Sequence, residues 1–311
     1  MKKIINIISI LLVCLIISGC GLSKKDINII YTNDVHGNVN SSIGYSGIKG
    51  YANSLKKDSY VSLVDGGDFA QGTYLADNSE GLAIVEIMNE MGYDVATLGN
   101  HEFDYGLGQL SNIISKAKFD VVGCNVNYFG SGDDPFKEVK PYVVKSYGGT
   151  KIAYIGVLTP DTLNEENPSS EKCKEEGEFV VNFESINGGD SELQFFDNLQ
   201  KIVDEANTKA DYVVVLSHLG NGAGLNTQLL IKNTRGIDVV LDAHSHSTKN
   251  DIRYNADEKE VILLSAGKSL ECFGQITINI DGNITAELLD STLEKDSSLQ
   301  NKIDELINKY E

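Results

Sequence analysis

From residue 26 onward the chain alternates between two hydrophobic periods. Short apolar runs rich in β-branched residues at 27–32, 60–64, 94–98, 119–123, 142–147, 152–158, 212–217, 237–241, 261–265 and 274–280 predict strands. Between several of them the spacing changes to i, i+3, i+4, i+7, as in Ile84, Ile87, Met88 and Met91, or Leu110, Ile113, Ile114 and Ala117. Phe195, Leu199, Ile202, Val203 and Ala206 make a third stripe. Each stripe is the apolar face of an amphipathic helix, so these residues belong to a core and not to a cofactor box. Gly148-Gly149 and Asp281-Gly282-Asn283 are turn signals between neighbouring strands, so hairpins interrupt the crossovers and the sheets are mixed. The pattern predicts an α/β fold with two sheets or one very large one. Leu299, Ile303, Leu306, Ile307 and Tyr310 mark a closing helix.

One stretch departs from this rhythm. Residues 161–192 hold ten carboxylates and two lysines, broken by Asn167-Pro168-Ser169-Ser170 and Gly188-Gly189. That composition predicts a solvated surface excursion, with a lid over the active site as the alternative. The first twenty residues read Met-Lys-Lys, an apolar run from Ile4 to Ile17, then Ser18-Gly19-Cys20. A basic start and a short apolar run describe a secretory signal better than a permanent transmembrane helix. Ile17-Ser18-Gly19-Cys20 resembles a bacterial lipobox. The resemblance implies loss of residues 1–19, a lipidated Cys20, a tether over 20–25 and anchoring on the outer side of the cytoplasmic membrane.

Composition narrows the function. With Cys14 in the signal and Cys20 lipidated, Cys124, Cys173 and Cys272 are an odd, scattered remainder, so a disulfide framework is not expected despite export. Cys124 reads as a buried thiol in a strand. The formal charge of −19 becomes −21 once Lys2 and Lys3 leave with the signal. Such an acidic chain is not built to hold a nucleic-acid polymer by its phosphates. A small anionic substrate is compatible with it where bound cations reverse the local field.

The informative residues lie just past the strand ends. The run 27–32 leads into Asn33-Asp34-Val35-His36-Gly37, 60–64 into Asp65-Gly66-Gly67-Asp68, and 94–98 into Gly99-Asn100-His101-Glu102-Phe103-Asp104. The run 212–217 is followed by His218-Leu219-Gly220, and 237–241 by Asp242-Ala243-His244-Ser245-His246. All five histidines of the protein thus lie just past the carboxyl end of a predicted strand, where loops of α/β sheets converge on one crevice. A single Asp or His there is more often a turn residue, but five such loops together predict a site.

The chemistry of the set is that of a dinuclear metal site. Carboxylate, amide oxygen and imidazole donors without thiolate suit Zn, Mn, Fe or Co. A carboxylate can bridge two ions, and paired ions lower the pKa of a shared water while neutralising a phosphoryl group. His-Glu-x-x-His, a Walker loop and a Gly-x-Ser-x-Gly elbow are absent from the sequence.

These segments resemble the 5′-nucleotidase branch of the calcineurin-like metallophosphoesterases. Tyr31-Thr32-Asn33-Asp34-Val35-His36-Gly37, Gly66-Gly67-Asp68-Phe69-Ala70-Gln71-Gly72, Thr97 to Gly106, Ser217-His218-Leu219-Gly220 and His244-Ser245-His246 stand in the family's order. The likeness spans residues 26–295, a catalytic domain, with 296–311 resembling the helix that leads into a second, base-stacking domain. It implies a four-layer α/β/β/α sandwich. It also implies one ion on Asp34, His36, Asp68 and His246 and another on Asp68, Asn100, His218 and His244, with Asp68 bridging. His101 and Asp104 match the catalytic pair, and Asn100 with His101 would contact the substrate phosphate. The implied reaction is hydrolysis of small phosphate esters, nucleotides first, by hydroxide generated at the ions.

Three departures bear on that expectation. Ala243 stands where the family usually has Gly, His246 occupies a variable position, and the second domain is not in this sequence. The last feature motivates two alternatives: a phosphodiesterase for cyclic nucleotides or other small phosphoesters, and a separate polypeptide that supplies substrate recognition. From another class, a non-catalytic lipoprotein that binds a ligand or metal is the alternative.

Overall fold

Alternation along the strands decides the architecture. A computed structural model describes residues 24–184, 190–291 and 294–310. Its strand Ile27–Thr32 is buried along its whole length. Ile27, Ile29 and Tyr31 enter one core while Ile30 enters another, because successive side chains of a strand leave opposite faces. A strand buried on both faces needs a layer on each side.

Two six-stranded sheets supply this. In the first the order is Ile284–Leu289, Phe273–Ile278, Ile27–Thr32, Tyr60–Asp65, Val95–Thr97, Asp120–Val122. The last four are parallel and the first two antiparallel additions. In the second the order is Thr248–Tyr254, Glu260–Ala266, Val239–Asp242, Tyr212–Ser217, Thr150–Val157, Tyr142–Tyr147. Its central four strands are parallel and both edges antiparallel.

Between the sheets Ile29, Tyr31, Val64 and Val95 meet Tyr154, Val214, Leu216 and Leu241. Ile84, Ile87, Met88, Leu110 and Ile113 cover the outer face of the first sheet from helices Leu82–Met91 and Leu107–Lys116. The helix Ser297–Tyr310 lies in the same layer through Leu299, Ile303 and Leu306. Helices Asp190–Asn207 and Thr227–Asn233 cover the second sheet with Phe195, Leu199, Val203 and Leu230. Each such side chain, fully buried, stabilises by about 1.5–3 kcal/mol. The result is the four-layer α/β/β/α sandwich.

Both turn signals form hairpins. Tyr142–Tyr147 pairs antiparallel with Thr150–Val157, and Phe273–Ile278 with Ile284–Leu289. Strands at Val126–Tyr128, Val181–Phe183, Thr248–Tyr254 and Ile284–Leu289 go beyond the predicted set. Thr248–Tyr254 is an edge strand carrying Lys249, Asp251 and Arg253, and such edges hide the apolar alternation that marks interior strands.

Two expectations change. Cys124 lies beyond the end of Asp120–Val122 and is only partly buried, its N–H donating to the Gly156 carbonyl at 2.9 Å. The acidic stretch is not a free excursion over its described part. Cys173, Val180, Val181 and Phe183 pin it to the first core, with Phe183 5.9 Å from Phe103 between ring centroids, while Glu165, Glu166, Glu171, Glu176 and Glu178 are exposed. The signal and Cys20 lie outside the described residues, among which no helix is long and apolar enough to cross a membrane.

Candidate metal centre

Strands of both sheets end at one edge, and two cross-sheet bonds fasten it. The Tyr31 hydroxyl donates to the Asp242 carbonyl at 2.7 Å, and His218 Nδ1 donates to the Gly66 carbonyl at 2.6 Å. The loops after Thr32 and Asp65 are stitched backbone to backbone. Asp34 N–H donates to Gly67 O at 3.0 Å, His36 N–H to Asp68 O at 2.9 Å, and Gly37 N–H to Phe69 O at 3.2 Å. This ladder holds Asp34, His36 and Asp68 with φ of 48°, 47° and 58°, and His244 and His246 share the left-handed region at 71° and 50°. Half of the ten non-glycine residues with that backbone, among those described, are therefore site residues. The conformation costs on the order of 1–2 kcal/mol per residue and persists where hydrogen bonds over-determine it. Gly99 makes room in the middle, since a side chain there would collide with Asp68 Oδ1 and the His218 ring.

Three overlapping groups of donors result: Asp34, His36 and His246; His36, Asp68 and His101; Asp68, His218 and His244. Nε2 of His36 faces Nε2 of His246 at 3.0 Å. Asp68 offers Oδ1 to the His101 N–H at 2.9 Å and has Oδ2 3.1 Å from His218 Nε2. His244 N–H lies 3.1 and 3.0 Å from the two carboxylate oxygens of Asp34. His101 Nδ1 contacts Asp104 Oδ2 at 2.7 Å. All seven predicted donors and the His101/Asp104 pair are thus at this one edge.

Electrostatics follows from burial and neighbours. Burial by itself would raise Asp68, yet the surrounding His218, His101 and His36 hold its carboxyl well below the usual range. Asp34 is pushed up to about 6 by burial. Burial would lower His101, but the hydrogen bond to Asp104 and the charges of Asp68 and Asp104 carry it to about 9. His218 rises to about 10 against its burial, through Asp68 and Asp34. His246 falls to about 4 through burial and the nearby His36 and Lys268.

Sequence pattern alone does not single out Glu102. It is fully buried and accepts four backbone N–H bonds: Gly99 at 2.7 Å and Asp68 at 2.9 Å on Oε2, Phe69 at 2.8 Å and Ala70 at 3.0 Å on Oε1. Burial first, then Asp68, pushes its carboxyl up to about 7. Asn33 escapes the pattern as well. Its side chain donates to Asp34 Oδ2 at 2.6 Å and to Gly267 O at 2.8 Å. Asp161, from the acidic stretch, has Oδ2 3.1 Å from His244 Nε2. Nothing in one sequence distinguishes these from an acid in a first helical turn, a turn asparagine and one carboxylate in a run.

The donors fit divalent cations. Asn100 Oδ1 is buried without a hydrogen-bond partner, a costly state for a polar atom unless it faces a ligand. Oxygen and imidazole nitrogen, with no thiolate in the groups, are the donors of borderline divalent ions.

This sandwich and its donor-lined edge are those of a calcineurin-like metallophosphoesterase catalytic domain. A family model described as "Bacterial capsule synthesis protein PGA_cap" matches residues 63–270, and the chain belongs to that family. It is similar to the "Trifunctional nucleotide phosphoesterase protein YfkN" of Bacillus subtilis, 24% identical over 92% of this chain and 21% of that protein. It is also similar to a "2′,3′-cyclic-nucleotide 2′-phosphodiesterase/3′-nucleotidase" of Haemophilus influenzae, 30% identical over 73% of this chain and 37% of that protein. The chain therefore spans well under half the length of these two relatives. Among solved structures, a 5′-nucleotidase precursor from Thermus thermophilus superposes with a TM-score of 0.76 at 24% identity, covering 91% of this chain and 59% of that one.

Proposed function

We propose that the chain hydrolyses small phosphate esters, with nucleotides as the first substrate class, using two divalent ions in the cell envelope. The observation that carries this reading is Asp68. It belongs to two of the three donor groups, while the His101/Asp104 pair stands directly beside it. In this reading Asp34, His36, Asp68 and His246 hold one ion, and Asp68, Asn100, His218 and His244 the other. When bound, such ions neutralise phosphoryl charge and make hydroxide available near neutral pH.

The chain's own groups do the rest. Asp104 holds His101 at Nδ1, so the proton on Nε2 is the one presented to substrate. Kept protonated by its carboxylate neighbours, that ring stabilises the phosphate oxygens and transfers the Nε2 proton to the departing alkoxide. Asn100 would help to hold an ion through its buried, unpartnered Oδ1, and its amide nitrogen would then be the group that donates to the phosphate. The signal-like residues 1–19 and the lipobox-like Cys20 support export and anchoring, which loss of lipid labelling in Cys20→Ala would test.

The decisive assay takes p-nitrophenyl phosphate and a nucleotide panel with added Mn or Zn. Turnover no higher than that of Asp68→Ala under every metal overturns the proposal. The activity for which the Haemophilus relative is named favours a second reading, hydrolysis of cyclic nucleotides, and the same panel with 2′,3′-cyclic substrates decides between them.

A further inference from the structure

The described part of the acidic stretch sends one carboxylate back to the site. We propose that Asp161 is a positioning residue for His244, fixing which ring nitrogen faces the cations and so setting the affinity of the ion site built on Asp68, His218 and His244. The inference rests on the two-ion reading above and deepens it.

His218 provides the pattern. Its Nδ1 donates to the Gly66 carbonyl, so in the neutral ring the lone pair sits on Nε2, the nitrogen turned toward Asp68. His244 is held in the opposite sense. Its Nε2 lies 3.1 Å from Asp161 Oδ2, which places the ring proton on Nε2 and leaves Nδ1 with the lone pair. Both histidines of that donor group therefore have one nitrogen held by an oxygen acceptor and the other free for a cation. An acceptor of this kind orients a ligating imidazole and raises its basicity.

The carboxylate is itself fixed in place. Asp161 N–H donates to Thr159 Oγ1 at 3.2 Å, and the Asp161 carbonyl accepts from Asn164 N–H at 3.0 Å. Thr159 and Thr162 are buried and linked by a 2.9 Å bond from Thr162 Oγ1 to Thr159 O. This turn comes after Thr150–Val157, the strand paired with Tyr212–Ser217, at whose end His218 stands. The side chain of Asp161 is 61% exposed, so burial does not explain its orientation. His244 is fixed at its backbone by Asp34 and at its ring tip by Asp161, which together define the ring's rotation.

The test compares wild type, Asp161→Ala and Asp161→Asn as the processed full chain. Zn(II) affinities come from competition with a fluorescent chelator, Co(II) absorption reports the ligand field, and Tm is measured in excess chelator. Removal of an outer partner of a ligating histidine weakens metal binding about 10–100-fold. Asp161→Ala is expected to weaken one of two binding steps by that factor, alter the Co(II) spectrum and leave the metal-free Tm unchanged. Asp161→Asn, which keeps an acceptor oxygen, is expected to lie between. Two unchanged affinities in Asp161→Ala overturn the inference, as does a raised KM with unchanged metal binding, which would turn Asp161 toward substrate. If Asp161→Ala lowers the metal-free Tm, Asp161→Asn decides: wild-type affinity with a wild-type spectrum there overturns the inference. A wild-type chain that takes up no ion overturns the two-ion reading itself, before any variant is compared.

Discussion

Replacing Glu102 by Gln tests whether the loop bearing Asp68 is held by a single buried carboxylate. Both oxygens are in use, Oε2 by Gly99 and Asp68 and Oε1 by Phe69 and Ala70. An amide keeps one acceptor oxygen and turns the other position into an NH₂ facing two N–H donors. Two buried amides then lose their partner at about 1–3 kcal/mol each, so Glu102→Gln should destabilise by about 2–6 kcal/mol. That is a large share of the ~5–15 kcal/mol typical of a folded domain. Glu102→Ala would strand all four amides and approach the whole stability, which makes Gln the more informative probe. Urea unfolding of the metal-free protein reads the change as a lower midpoint at constant slope. Whichever way the amide turns, it releases either Gly99 and Asp68 or Phe69 and Ala70, so the loop bearing Asp68 loosens and both metal affinities should fall together. A Glu102→Gln midpoint within about 0.5 kcal/mol of wild type, with unaltered metal binding, refutes the reasoning.

His101→Ala should lower kcat about 10²–10⁴-fold while metal content stays at the wild-type level; loss of an ion would instead make His101 a ligand. Gly99→Ala should cost about 1–3 kcal/mol or more and impair metal uptake, since the added methyl meets Asp68 and His218, and a wild-type Tm would contradict the crowding. The metal-free protein should lose stability as pH rises from about 6.5 to 10, above the range in which the depressed His246 and His36 act in the opposite sense. The folded values of Asp34 (about 6), Glu102 (about 7), His101 (about 9) and His218 (about 10) all exceed those of the free groups, so the native state holds each proton more tightly and that advantage disappears as each pKa is passed. Tm in excess chelator across that range checks the sign, and a Tm that climbs between about pH 7 and 9 contradicts it. Added Zn should stabilise more at pH 8 than at pH 6, because its ligands must first give up protons.

The donor residues were legible because histidine is scarce in this chain and every one comes after a strand end, so position alone gathered them. The layers were legible from stripes such as Ile84, Ile87, Met88 and Met91, whose burial matches their spacing. Edge strands were not: Thr248–Tyr254 is exposed or half-buried at every position, so its residues carry no apolar period. Glu102 and Asp161 were illegible for another reason. Their roles depend on which amides or rings the fold brings to them, and an acidic side chain looks the same in sequence whether it accepts four buried N–H bonds or faces water. The left-handed backbone at Asp34, His36 and Asp68 likewise arises from pairing between two loops, a tertiary effect.

The seam between the sheets has a consequence for the order of events in assembly. His36 and His246 meet across 210 positions of chain, as do Asp34 and His244, while Asp68 and Asn100 come from the early part of the sequence and His218 from the late part. Neither proposed ion can find its full set of ligands on a nascent chain until the His244-Ser245-His246 segment has emerged and the second sheet has docked on the first. Closing so long a loop is slow, and a local pair such as Asp34 and His36 offers a metal only part of a ligand set on the way. On the two-ion reading, metal capture is thus a late event that reports a finished fold. A chain exported unfolded would take its cations from the surroundings in which it completes folding, not from those in which it was made.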